Sequence, residues 1–234
     1  MVDKNMGKDT DTEFDAYAKD YNRSLQYGLR ASGEMPDYFA EYKVSYLIRR
    51  LEIGPDSRIL DFGCGVGNLS RALRRLIPGI SVDGYDPSMA SLEQISPDAR
   101  GTGRFTSNLA DLNTDYDIAV LAGVLHHIRP EKRAATLVDA SSRLCPGGSL
   151  VVFEHNPLNP LTRHTVDTCP FDKDAILLKS AETRNLMAAT GLILVQRDYI
   201  VFFPRVFSAL RSLEPALGWC PLGGQYAVLG TRKR

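Results

Sequence analysis

The sequence lacks most of the features that assign a protein to a class at a glance. Its charge has no sign, since 28 Lys and Arg balance 28 Asp and Glu across 234 residues. The basic excess that marks a nucleic-acid partner is therefore missing. The four cysteines, Cys64, Cys145, Cys169 and Cys220, are far apart and form no CxxC pair. That argues against a disulfide framework or a cysteine zinc site and for reduced thiols in a cytoplasmic protein. No apolar run is long enough to span a bilayer, and the chain starts on polar residues. Neither a membrane segment nor a signal peptide is expected. Internal repeats and domain linkers are absent as well, and the 44% hydrophobic content suits the core of one α/β domain with appendages.

What is present is concentrated in ILDFGCGVGN, residues 59–68. An apolar pair, Ile59 and Leu60, runs into Asp61. Gly63, Gly65 and Gly67 follow at alternate positions, and a helical pattern opens at Leu69. This reads as a buried strand, a tight turn and a helix start. Glycines let the backbone swing sharply and approach a ligand closely. A turn of this kind at the end of the first strand of an open α/β sheet is where nucleotide-like ligands sit. The dinucleotide fingerprint needs a glycine where this chain has Asn68, and the Gly-Lys-Ser/Thr run of a phosphate loop does not follow.

The remaining form, Asp-x-Gly-x-Gly-x-Gly, resembles the first motif of class I S-adenosylmethionine-dependent methyltransferases of the small-molecule type. The resemblance covers roughly residues 36–234. It implies a single Rossmann-like α/β domain with a mostly parallel seven-stranded sheet, an antiparallel last strand, helices on both faces and an N-terminal helical lid. Residues 1–35 form the tail and lid helix in this reading. Tyr17 and Tyr21 on a predicted helix at about 12–30 are the candidates to cover the cofactor.

The chain after the glycine turn alternates as such a sheet requires. Strands are predicted at about 58–62, 80–86, 103–107, 117–123 and 149–156. Helices are predicted at about 37–52, up to 77, from Pro87-Ser88, from Pro130 and at about 180–190. The second strand ends in Asp86, which follows Asp61 by 25 residues, near the spacing at which an acid reaches a ribose. The resemblance gives Asp86 that role, with Asp61, Gly63, Cys64 and Gly65 at the methionine end and the adenosine turn. Pro87 stands beside Asp86. By the same resemblance Asn108, next to Leu109, reads the adenine, with Asp111 as the alternative or as a turn acid. Residues 156–179 carry three prolines and read as a long loop with a single helical turn. A strand at 192–203, an amphipathic helix at 205–218 and a strand at 224–232 end the chain. The stretches near 156–179 and 205–223 are expected to shape the substrate pocket.

Only four histidines occur, and His126, His127 and His155 follow the C-terminal ends of strands four and five, the substrate-facing edge. The fourth, His164, is in the adjoining loop. Histidine is the natural general base near neutral pH, and His155 is preferred over His127 and then His126. Glu154 is next to His155, but adjacent strand residues point to opposite faces, so a direct pair is not expected. No carboxylate cluster follows strand four, so no metal is expected. The reading is metal-independent methyl transfer from S-adenosylmethionine to a small molecule, at a hydroxyl of a sugar, quinone or other metabolite. The alternatives are an RNA or protein methyltransferase, and a cofactor-binding protein on this fold with no transfer or redirected chemistry. No nucleic-acid or membrane partner is expected.

Overall fold

In a computed structural model the described residues are 33–169 and 172–234. The predicted lid helix with Tyr17 and Tyr21 lies outside them. Seven strands form one sheet: β1 Arg58–Phe62, β2 Ser81–Tyr85, β3 Phe105–Thr106, β4 Tyr116–Ala122, β5 Leu144–His155, β6 Ile193–Ile200 and β7 Gln225–Thr231. Their order is β3-β2-β1-β4-β5-β7-β6. The pairs β1–β2, β2–β3, β1–β4 and β4–β5 are parallel, and β7 runs antiparallel to both β5 and β6. The expected class, including the antiparallel last strand, is the one observed.

Strand periodicity sorts the core into two layers. Ile59, Val120, Val151 and Phe153 face one side and pack with Val44 and Leu47 of α1 (Pro36–Arg50) and Leu73 of α2 (Asn68–Leu76). Leu60, Leu121, Leu150 and Val152 face the other side, with Leu137 of α5 (Pro130–Ser142) and Met187 of α7 (Ser180–Ala189). Short helices α3 (Met89–Glu93) and α4 (Pro97–Arg100) lie between β2 and β3. The chain leaves β1 towards β2 on one side and returns to β4 on the other. A crevice therefore opens beyond the C-terminal ends of these strands. Among the described residues no helix is long and apolar enough to cross a membrane.

Three expectations need correction. Residues 156–179 are not a loop with one turn, because Pro160–Thr168 form α6. Its proline stands in the first turn, where no N–H is needed, and the Asn159 side chain caps it by accepting from the Thr162 N–H at 3.0 Å. The C-terminal amphipathic helix is a 3₁₀ segment, Arg205–Leu217, broken at Phe207 and containing Pro215. Its apolar residues Val206, Phe207, Leu210 and Leu213 are exposed. The strand expected to run to 203 ends at Ile200, since Val201 takes a φ of 61°. Phe202 and Phe203 then leave the ladder and donate their N–H groups to buried Glu214 at 3.2 and 3.1 Å.

The glycine turn closes against β2. Gly63 and Cys64 both donate N–H to the Tyr85 carbonyl, at 2.7 and 2.9 Å. Gly63 has φ +80°, and a Cβ there would lie 2.5 Å from Val124 Cγ2. Both the left-handed backbone and the close approach exclude a side chain. Gly63→Ala is expected to lower the unfolding free energy by about 2–4 kcal/mol, combining strain and overpacking. Urea denaturation of that variant and of Gly63→Ala/Val124→Ala checks this. The second variant should recover the packing share relative to Val124→Ala and leave the backbone share.

Candidate active site

The crevice is a cavity of about 470 Å³, within the roughly 300–1,000 Å³ of small-molecule sites. One wall is the glycine turn with Asp61, Gly63, Cys64 and Gly65, continued by Asp86, Pro87 and Leu109. The opposite wall holds His126, His127, Glu154 and His155. Helix α1 closes a side with Phe39 and Lys43, and Thr165, Cys169 and Asp172 reach in from α6 and the residues after it. Every sequence-predicted site residue within the described chain lines this cavity except Asn108. That side chain is exposed, and its carbonyl oxygen accepts from the Ala110 N–H at 3.1 Å, capping the 3₁₀ turn Leu109–Asp111. Asp111 accepts from the Thr106 hydroxyl at 2.8 Å and is a turn acid. No residue of 205–223 lines the cavity. That segment packs beside β6 instead.

On the glycine-turn wall two carboxylates are set by short local bonds. Asp86 Oδ2 accepts the Gly65 N–H at 2.8 Å, and its Oδ1 accepts the Ser88 N–H at 2.9 Å. The parallel register of β1 and β2 puts these strand ends side by side. Asp61 is 1% exposed and accepts the Ser70 hydroxyl at 2.7 Å. Burial lifts its carboxyl to about 7, against the Ser70 bond, which favours the charged form. Ser70, on the first turn of α2, was not singled out from the sequence, although its spacing from Asp61 is fixed by the turn.

The histidine wall is built around one buried carboxylate. Glu154 Oε1 accepts the Val124 and Leu125 N–H groups at 3.0 and 2.6 Å, and Oε2 lies 2.6 Å from His126 Nδ1. Glu154 and His155 do point to opposite faces, so the partner of Glu154 is His126. Arg133, 1% exposed on α5, holds the same turn from below. Its Nε donates to the Leu125 and Ile128 carbonyls at 3.0 and 2.9 Å, its Nη2 donates to Ile176 O at 2.6 Å, and its Nη1 pairs with Glu182 at 3.1 Å. Although burial works against the charged ring, Glu154 and Asp172 lift His126 to about 9. His126 Nδ1 is engaged by Glu154 at 2.6 Å and its Nε2 faces Asp172 at 3.6 Å, and the ring is only 2% exposed. Burial, and next the charge on His126, hold His127 well below its usual range.

His155 ends β5, opposite Gln225 of β7. Its ring is 5.0 Å from that of His126, edge to face. Burial and the His126 charge lower it to about 4, so it is neutral at physiological pH. Lys43 stands on the same side of the sheet. Burial lowers it to about 8, partly offset by Glu154. This lysine went unnoticed in the sequence, where a helical lysine reads as solvated. The signal was its place one turn after Phe39, between core residues Ala40 and Val44.

The model of the family described as "Methyltransferase domain" matches residues 37–196. A carboxy-S-adenosyl-L-methionine synthase from Aeromonas hydrophila subsp. hydrophila is 30% identical over 121 residues, 46% of this chain and 49% of that protein. A trans-aconitate 2-methyltransferase from Mycobacterium tuberculosis is 30% identical over 161 residues, 62% of this chain and 60% of that protein. The chain thus spans about half to three fifths of the length of these curated relatives. The crystal structure of magnesium protoporphyrin IX methyltransferase from Synechocystis PCC 6803, with bound SAM, shares the fold with a TM-score of 0.65 at 19% identity, covering 98% of this chain and 100% of that one. The family match takes in the glycine turn, Asp86 and the histidine wall together, and on it the chain belongs to the methyltransferase-domain family.

Proposed function

We propose that the protein transfers a methyl group from S-adenosylmethionine to an oxygen of a small, negatively charged acceptor. The observation that carries this reading is one cavity lined by the glycine turn and Asp86 together with Lys43 and His155. The names of the relatives favour the same cofactor and a small second ligand. The residues fit the cofactor. Among the described residues, apart from the chain neighbours of Gly65, no atom lies within 4 Å of where its Cβ would stand, which leaves the backbone there room for a ligand. The Asp86 carboxylate lines the cavity and is of the type that accepts from ribose hydroxyls, and Pro87 and Leu109 offer apolar cover for the base.

When bound, S-adenosylmethionine supplies an electrophilic methyl group on a sulfonium. The chain's task is then alignment and proton removal. Lys43 pairs with an anionic group of the acceptor and turns its hydroxyl inward. Neutral His155 accepts the hydroxyl proton on its imidazole nitrogen as the oxygen is methylated. His126 is held between Glu154 and Asp172 and leaves that task to His155.

Turnover with a panel of hydroxy acids, read as S-adenosylhomocysteine formation, tests the reading. His155→Ala is expected to lower kcat by about 10²–10⁴-fold with little change in cofactor affinity. A product other than S-adenosylhomocysteine would favour redirected cofactor chemistry. Lys43 is charged below about pH 8 and neutral above it. The acceptor KM should therefore rise as the pH climbs through 8. Lys43→Arg, which stays charged, should keep it flat, and Lys43→Met should raise it by roughly 10–100-fold at pH 7. A KM indifferent to pH and to both substitutions would refute the role of Lys43.

A further inference from the structure

We propose that His126, His127 and Asp172 form a binding site for one divalent transition-metal cation of the Zn²⁺ class. The expectation of no metal rested on the missing carboxylates after β4. The third donor comes from elsewhere, because the chain beyond α6 returns Asp172 to the histidine pair. Asp172 Oδ1 lies 3.6 Å from His126 Nε2 and 3.4 Å from His127 Nε2. Ligands about 2.1 Å from a tetrahedral centre stand roughly 3.4 Å apart, so these spacings suit a shared cation. All three donor atoms fall within 4.8 Å of one another.

Two further observations point to a ligand. Asp172 is 6% exposed, yet its Oδ1 makes no hydrogen bond to any described residue. A buried carboxylate oxygen without a donor is costly, and a cation would satisfy it. The second is the support behind His126. Glu154 engages Nδ1 at 2.6 Å, which fixes the ring and leaves Nε2 as the nitrogen facing Asp172. A carboxylate behind the ligating histidine is the arrangement that orients imidazoles in metal sites. Glu154 is itself fixed by the Val124 and Leu125 N–H groups. Backbone bonds hold the segment carrying Asp172 in place, since the Ile176 N–H donates to the His126 carbonyl at 2.8 Å and the Ala175 N–H donates to the Asp172 carbonyl at 2.9 Å.

Two imidazoles and one carboxylate leave coordination positions open. All three residues line the cavity that also holds Lys43 and His155. The open positions then take oxygens of the second ligand, and an acceptor with adjacent oxygens, such as a hydroxy acid, matches a cation and Lys43 together. This choice of ligand rests on the methyl-transfer reading above, whereas the metal site does not.

The test is a titration of the chelator-treated full chain with Co²⁺, followed by its visible absorption, and with Zn²⁺ by calorimetry, in the absence of cofactor and acceptor. One equivalent should bind to the wild type, with the absorption of a low-symmetry Co²⁺ complex. Asp172→Asn and His127→Gln should each weaken binding by about 100-fold or more, at least matching the effect of losing an outer partner. No stoichiometric binding by the wild type would overturn the proposal and leave a cluster balanced by a proton alone. Binding that both variants retain within a few-fold would overturn it too. If one variant fails to fold, the wild type and the other variant still decide. Because no methyl transfer is measured, this result is independent of whether the catalytic reading holds.

Discussion

The Gly65 N–H donates to Asp86 across the ends of β1 and β2 at 2.8 Å, and the site is arranged around that bond. It exists because the two strands are parallel neighbours in register and because the turn between β1 and α2 can adopt left-handed backbone at Gly63 and Gly65. A carboxylate held by backbone donors on both oxygens has little rotamer freedom left to lose when a ligand binds. The order of the strands then decides what faces it. With β1 between β2 and β4, the ends of β4 and β5 lie across the crevice from the turn, and any residue there shares a cavity with it.

Across that crevice the controlling feature is buried charge. Glu154, Asp172, His126 and Arg133 are all nearly inaccessible. Such groups are tolerable only when paired and hydrogen-bonded, and removing one partner costs on the order of 3–5 kcal/mol. The cost secures geometry. Arg133 and Glu154 fix the turn 124–128 from opposite sides, so the histidine rings have one arrangement. They also divide the labour among three histidines of identical chemistry. Without a bound cation, Glu154 and Asp172 raise His126, and burial first and the His126 charge second lower His127 and His155. Only His155 combines a neutral ring with a place beside Lys43.

The sheet was legible in the sequence because each strand is an apolar run closed by a turn signal, and the glycine turn fixes where the first strand ends. That Asp61 and Asp86 stand together was legible for the same reason, as Asp61 lies next to the end of β1 and Asp86 directly follows β2. What the sequence hid depends on distance along the chain. Asp172 meets His126 only after α6 brings the chain back, and nothing local marks it. Lys43 carries no motif, and its place in the site shows only once α1 is seen closing a side of the cavity. The side chain of Asn108 serves the backbone turn it begins, a local competition that short amides commonly enter and that the sequence did not show. The C-terminal helix failed because apolar periodicity shows only a face. At 205–217 that face lies exposed on a proline-containing 3₁₀ segment.

In the proposed function the glycine turn and Asp86 hold S-adenosylmethionine. Calorimetric titration of S-adenosylmethionine into the wild type and into Asp86→Asn tests it most directly. The amide can still accept from the Gly65 N–H, so the turn is kept while the charge is removed. The account expects one-to-one binding by the wild type and a loss of about 10–100-fold in the variant, the size of charge-assisted hydrogen bonds, with thermal unfolding nearly unchanged. Absence of binding by the wild type, or equal affinity in both proteins, would contradict it.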